Sequence, residues 1–95
     1  MSQQYYRDPD IIAYAKKRAS GYCECCDKTA PFKNSDNSPF LETHHLVPLA
    51  YGGNDLIDNV CAVCPICHRM LHYCDNRIIL TDEIKNKLCE KNRYS

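Results

Sequence analysis

Apolar residues recur at helical spacing near the start of the chain, where Ile11, Ile12, Ala15 and Ala19 fall on one side of a helix. Asp8-Pro9 supplies the start: a carboxylate able to cap, then a proline suited to the first helical position. Ser20-Gly21 supplies the stop. Lys16, Lys17 and Arg18 crowd the last turn, where cations suit the helix dipole. They read as a solvated helix end, with a phosphate contact as the alternative. Thr29 to Pro39 is rich in turn formers and predicts a loop. Phe40 to Val47 reads as a strand, Pro48 to Asp58 (with Gly52-Gly53-Asn54) as a long loop, and Asn59 to Val63 as a second short strand. Pro65 opens a helix running to about Tyr73. A short apolar piece follows, Ile78 to Leu80, and Thr81-Asp82-Glu83 then caps a final helix carrying Ile84 and Leu88 on one face. The order is strand, loop, strand, helix, with helices on either flank, an α+β arrangement.

Length and composition narrow the reading. The 95 residues fit one domain, 1–95, and a chain this short commonly needs a staple beyond its core. The opening MSQQYYRDPD is polar and offers no apolar stretch to a signal peptide. No apolar run approaches the roughly 20 residues of a spanning helix. The expectation is therefore a cytoplasmic protein without a membrane partner. In a reducing compartment C-x-x-C pairs are more often metal ligands than disulfides, and this chain has 8 cysteines. With 12 basic and 12 acidic side chains the formal net charge is zero. That weighs against tight, free-standing binding to a polyanion.

Cys23-x-x-Cys26 and Cys64-x-x-Cys67 stand 37 intervening residues apart. Each pair can form a knuckle presenting two thiolates at one point, and two knuckles complete the all-thiolate tetrahedron that structural zinc prefers. Cys61-x-x-Cys64 has the same spacing. Cys64 and Cys67 are preferred because Pro65 lies inside that knuckle where a helix begins, while Cys61 falls in the strand. Disulfides or redox chemistry are the alternatives. Cys25, Cys61, Cys74 and Cys89 read as small buried hydrophobes or inert thiols.

The 4 histidines fall in two clusters. His44 and His45 are strand neighbours and point to opposite faces, so they do not chelate one ion as equals. His68 and His72 are four apart on a helix and share a face. Cys67 and His68 lie about 100° apart around that helix, so one turn can serve a zinc on one side and a second metal on the other. A second, purely structural metal is the competing reading of the cluster.

Leu41-Glu42-Thr43-His44-His45-Leu46-Val47-Pro48-Leu49, then Gly52-Gly53, then Asp58-Asn59-Val60, then Cys64-Pro65-Ile66-Cys67-His68-Arg69-Met70-Leu71-His72 resembles the HNH endonuclease signature. Arg18-Ala19-x-Gly21-x-Cys23-Glu24-x-Cys26 and Ala30-Pro31-Phe32 are similar to the cysteine-bearing branch of that family, which includes the McrA-like restriction enzymes for modified DNA. The resemblance covers roughly residues 14 to 73, with a core motif at about 23–73. Asp27 stands where that branch usually has glycine, a departure in the turn after the first knuckle.

The resemblance implies a small zinc-stapled ββα-metal (HNH, or His-Me finger) domain that hydrolyses phosphodiester bonds in DNA. It implies His45 as general base, since a neutral imidazole near pH 7 can take a proton from attacking water. His44 and His68, with His72 as a third ligand, would hold one catalytic divalent ion. Imidazole ligands suit Zn2+, Ni2+ or Co2+, whereas cellular hydrolysis often uses Mg2+ or Mn2+. Asn59 would stay off the metal and brace the first strand across the long loop. Glu42 shares the face of His44; it could orient a ligand but reads slightly better as a solvated strand residue. Arg69 is a candidate DNA contact. Zero net charge suggests help from a homodimer partner or a separate specificity subunit. The rival reading is a non-catalytic, zinc-bound module that grips nucleic acid or protein.

Overall fold

The computed structural model describes residues 8–47, 51–53 and 56–93. They form α1 (Pro9–Ala19), β1 (Glu42–His45), β2 (Val60–Val63), α2 (Pro65–Tyr73) and α3 (Arg77–Arg93). The opening residues 1–7, and Pro48 to Ala50, Asn54 and Asp55 of the expected long loop, lie outside the described residues.

Helix α1 begins where its sequence predicts. The Asp8 carboxylate accepts from Asp10 N at 2.9 Å, Pro9 occupies the first turn, and Ser20 ends the helix in the left-handed region at φ 54°. Gly21 continues the reversal at φ +85°, and a Cβ there would meet the Pro39 ring at 3.4 Å. Ala15 and Ala19 are buried, and small side chains on this face let α1 lie closely against β2.

The two strands are shorter than their apolar patterns suggest, Glu42–His45 rather than Phe40 to Val47 and Val60–Val63 rather than Asn59 to Val63. They pair antiparallel with Glu42 opposite Val63, Thr43 opposite Ala62, His44 opposite Cys61 and His45 opposite Val60. Val60, Cys61, Ala62 and Val63 are all fully buried, because α1 contacts β2 while β1 flanks its edge. An unbroken apolar strand therefore sits at the centre, and the histidine strand beside it faces the functional side. Thr29 to Pro39 is irregular, closed by a turn in which Asn37 is left-handed and by stacked Phe32 and Phe40 rings 4.5 Å apart.

The last part of the chain departs from expectation. Residues 77 to 93 form one continuous helix, so Ile78 to Leu80 is no separate piece and Thr81 caps nothing. The Thr81 hydroxyl instead donates to the Arg77 carbonyl at 2.8 Å, a back-bond within a helix already under way. Ile84 and Leu88 are buried and join Leu71 of α2 in the core, whereas Ile78 and Ile79 are exposed.

Arg18 also differs from its reading as a solvated helix end. Its side chain is 4% exposed and pairs with Glu24, itself fully buried. The guanidinium reaches both Glu24 oxygens at 2.8 and 2.9 Å, the carbonyls of Ile57 and Val60 at 2.7 and 2.6 Å, and Asn92 Oδ1 at 3.0 Å. Glu24 accepts in addition from Ala62 N at 3.0 Å and Lys91 Nζ at 3.1 Å. This buried network ties α1, the first cysteine knuckle, the entry to β2 and the end of α3 together, with no room for a phosphate.

Candidate metal and active site

The thiols of Cys23, Cys26, Cys64 and Cys67 converge, all within 4.8 Å of one another. Sulfurs around a tetrahedral zinc stand about 3.8 Å apart, given Zn–S distances near 2.3 Å. The donor set and its spacing therefore fit zinc. The local backbone prepares each knuckle: Cys25 N and Cys26 N point at Cys23 Sγ at 3.4 and 3.5 Å, and Cys67 N at Cys64 Sγ at 3.4 Å. Burial pushes the Cys23 thiol up, but the backbone N–H groups around it outweigh burial and hold it below its usual value. Cys64 doubles as the N-cap of α2, and Pro65 fills the first turn. Asp27, in the glycine position of the turn, is left-handed at φ 64°. Asp tolerates that conformation better than most residues, and here Lys87 Nζ holds it, reaching Asp27 Oδ2 at 2.9 Å and the Cys25 carbonyl at 2.7 Å.

Cys61 stays out of the cluster, fully buried on β2, where burial pushes its thiol far up and its Sγ donates to the His44 carbonyl. Cys25 and Cys74 are half-buried, and Cys89 is exposed rather than buried.

His44, His68 and His72 form a second convergence, also with ligand nitrogens within 4.8 Å of one another. The helical spacing brings His68 Nε2 and His72 Nε2 to 3.2 Å. Two nitrogens on one tetrahedral ion at 2.0–2.1 Å would stand about 3.3 Å apart, so this pair fits a shared cation. The His44 ring meets the other two edge-on, with centroids 5.3 Å from His68 and 4.9 Å from His72. Burial, then the neighbouring imidazoles of His72, His68 and His45, push His44 down to about 4. It is neutral at pH 7, the form a metal needs.

Glu42 does more than decorate the strand surface. Its Oε1 lies 2.9 Å from His68 Nδ1. A carboxylate only accepts, so Nδ1 carries the proton and Nε2 keeps its lone pair for the ion. The period of two that places Glu42 on the face of His44 was visible in the sequence; the reach from β1 to α2 was not.

Asn59, 8% exposed, precedes β2. Its Oδ1 accepts from Val47 N at 2.8 Å and its Nδ2 donates to the Val47 carbonyl at 3.1 Å, while its own carbonyl accepts from Leu46 N at 2.8 Å. The base of the long loop is thus closed directly after His45. His45 is buried at 9% exposure and stands in register with Val60, outside the trio of converging imidazoles.

Two of the three imidazoles, His44 and His72, line one side of a cleft of about 560 Å³, with Arg77, Thr81, Asp82 and Lys85 of α3 on the other. His68, His45 and Arg69 are not in that lining; Arg69 is exposed on α2. Sequence reasoning singled out neither Arg77 nor Lys85 as a functional residue, since only the packing of α3 against α2 brings them to the site.

The three-histidine cluster sits on the ββα unit, and the cysteine cluster joins that unit to the knuckle before it. Residues 23–74, more than half of the chain, match the family described as HNH endonuclease. The chain is 47% identical over 76 residues to the Type IV methyl-directed restriction enzyme EcoKMcrA of Escherichia coli (strain K12), a match covering 80% of this chain and 27% of that protein. Among solved structures, the Type IV phosphorothioation-dependent restriction endonuclease ScoMcrA superposes with a TM-score of 0.83 at 28% identity, over 95% of this chain and 17% of that one. The chain belongs to the HNH endonuclease family. It spans about a quarter or less of the length of these two relatives.

Proposed function

We propose that this chain is the phosphodiester-cleaving module of a DNA endonuclease, acting as a single unit over residues 1–95. The observation that carries the reading is the convergence of His44, His68 and His72, with Glu42 on the far nitrogen of His68 and with His44 and His72 bordering an open cleft. A purely structural metal would gain nothing from such a cleft. In this reading those imidazoles hold one divalent ion, Mg2+, Mn2+, Ni2+ or Zn2+. Such an ion supplies positive charge to the pentavalent phosphorus centre and the departing 3′ oxygen.

The remaining work falls to the chain's own groups. His45, one residue from His44, takes a proton from the attacking water as its oxygen bonds to phosphorus and the P–O3′ bond breaks. Asn59 touches no reacting atom; its two bonds to Val47 fix the strand end from which His45 projects. The cysteine tetrad holds structural zinc and thereby sets the start of α2, where His68 follows Cys67 directly. Arg69, exposed beside His68, contacts the DNA outside the cleft. The restriction enzymes that resemble this chain support DNA as the substrate. Zero net charge supports target affinity coming from a homodimer or a specificity subunit.

Incubation of the zinc-loaded protein with modified and unmodified plasmids, in Mg2+, Mn2+ and Ni2+ separately, tests this. Nicked or linear product that His45→Ala abolishes, with metal content unchanged, is the expected result. No product with any metal, together with two tightly held zinc ions per chain, would overturn it in favour of a non-catalytic module.

A further inference from the structure

The cations of this chain stand in different settings. Arg18 and Lys91 are committed to buried Glu24 and Lys87 to exposed Asp27, on the side of the first knuckle. The cleft wall is different. Arg77, Ile78, Thr81, Asp82 and Lys85 all line it, and positions 77, 81 and 85 recur every four residues, so they form one stripe along α3. Lys85 is exposed and makes no hydrogen bond or ion pair among the described residues. Arg77 is exposed and commits only Nη1, to the Cys74 carbonyl at 3.2 Å, leaving most of its donors for another partner. Among the described residues Asp82 is the one acid in the lining, against the two cations Arg77 and Lys85.

We propose that Arg77 and Lys85 are phosphate-contacting residues that seat one DNA strand along α3, with its scissile group directed to the histidine trio. This rests on the nuclease reading for its substrate. Eight residues of helix separate the two by about 12 Å. One strand of duplex carries a phosphate about every 3.4 Å of axis, so the two side chains reach different phosphates rather than competing for one. His44 and His72 border the same cleft, so a backbone lying against the stripe passes over the metal-binding nitrogens. Arg77, with a planar fork, grips a phosphate bidentately; Lys85 adds a point charge further along.

The test is binding of a fluorescent DNA duplex to the zinc-loaded chain in Ca2+, read by anisotropy between 25 and 200 mM salt. The proteins compared are wild type, Arg77→Gln, Lys85→Gln and the double variant. Each single change is expected to weaken binding by about 3- to 10-fold, and the double variant to lower the slope of log K against log salt by nearly two. Both residues are exposed, so melting temperature and affinity for the second metal should not move. An unchanged slope in the double variant overturns the proposal, as does wild type showing no binding. The two readings separate cleanly. A shallower slope in a protein that cuts nothing keeps the phosphate track and discards the nuclease; cleavage with an unchanged slope does the reverse.

Discussion

The Asn59 side chain holds Val47 by both backbone groups, accepting from its N–H at 2.8 Å and donating to its carbonyl at 3.1 Å. This is the pairing a neighbouring strand would make, supplied by one amide. It closes the long loop between the strands and fixes the chain immediately after His44 and His45. An isolated turn residue would not be buried, and Asn59 is.

Asn59→Ala should therefore slow cleavage without emptying the metal site. Both Val47 groups would lose their partner, and a displacement of about 1 Å at His45 is enough to cost on the order of 100-fold in rate. Asn59→Asp keeps the acceptor but loses the donor and should fall between. Single-turnover cleavage beside calorimetric metal titration checks this. Equal loss of rate and metal affinity would place Asn59 in the ligand set instead.

Glu42→Ala should weaken metal binding by about 10- to 100-fold, since His68 would lose the carboxylate that selects its tautomer. Glu42→Gln retains a neutral acceptor and should lose less. Titration of the zinc-loaded protein with Ni2+ or Co2+ reads the difference. Identical affinities in wild type and Glu42→Ala would reduce the contact to a surface pair, and His68→Ala supplies the scale for full loss of a ligand.

With zinc on the tetrad as proposed, replacing Cys67 should cost the protein that ion and its cooperative melting transition, because binding and folding of small zinc units are one free energy. Cys61→Ala should keep both, losing a buried sulfur from β2 and its contact with the His44 carbonyl. The pair of variants decides between the two C-x-x-C choices the sequence offers at 61–64 and 64–67. Zinc content by thiol titration and a thermal melt suffice; a Cys61→Ala protein without zinc would reverse the assignment.

How much of this was written in the sequence depends on the range of the interaction. Local signals were legible: Asp8-Pro9 starting α1, Pro65 starting α2 behind Cys64, His68 and His72 sharing a face. Thr81-Asp82-Glu83 imitated a cap because its composition is that of one, yet Arg77 to Leu80 already pack as helix and the hydroxyl bends back instead. Arg18 defeated sequence reasoning for another reason. Basic residues in a last turn usually face water, and nothing local says that Glu24, Ile57, Val60 and Asn92 will surround this one. The Arg77 and Lys85 stripe was hidden in the same way, since a wall of the cleft exists only once α3 lies against α2.

Arg18 yields the largest expected effect on stability. Glu24 is fully buried, and Arg18→Met would leave its carboxylate with only Ala62 N and Lys91. Removing one partner of a buried pair costs about 3–5 kcal/mol, because the other charge stays desolvated. Lys91→Ala should cost far less, within about 1 kcal/mol, as that side chain is 34% exposed and its charge is screened by water. Arg18→Lys should not rescue the loss, since an ammonium cannot span both carboxylate oxygens and two carbonyls at once. Urea unfolding of the zinc-loaded proteins measures all three, and equal small losses would mean that water enters to solvate Glu24. The Ile57 and Val60 carbonyls that Arg18 holds flank Asn59 on either side. In the Arg18 variants cleavage should therefore fall at temperatures where the domain is still folded, in step with the loosening of that segment rather than with global unfolding.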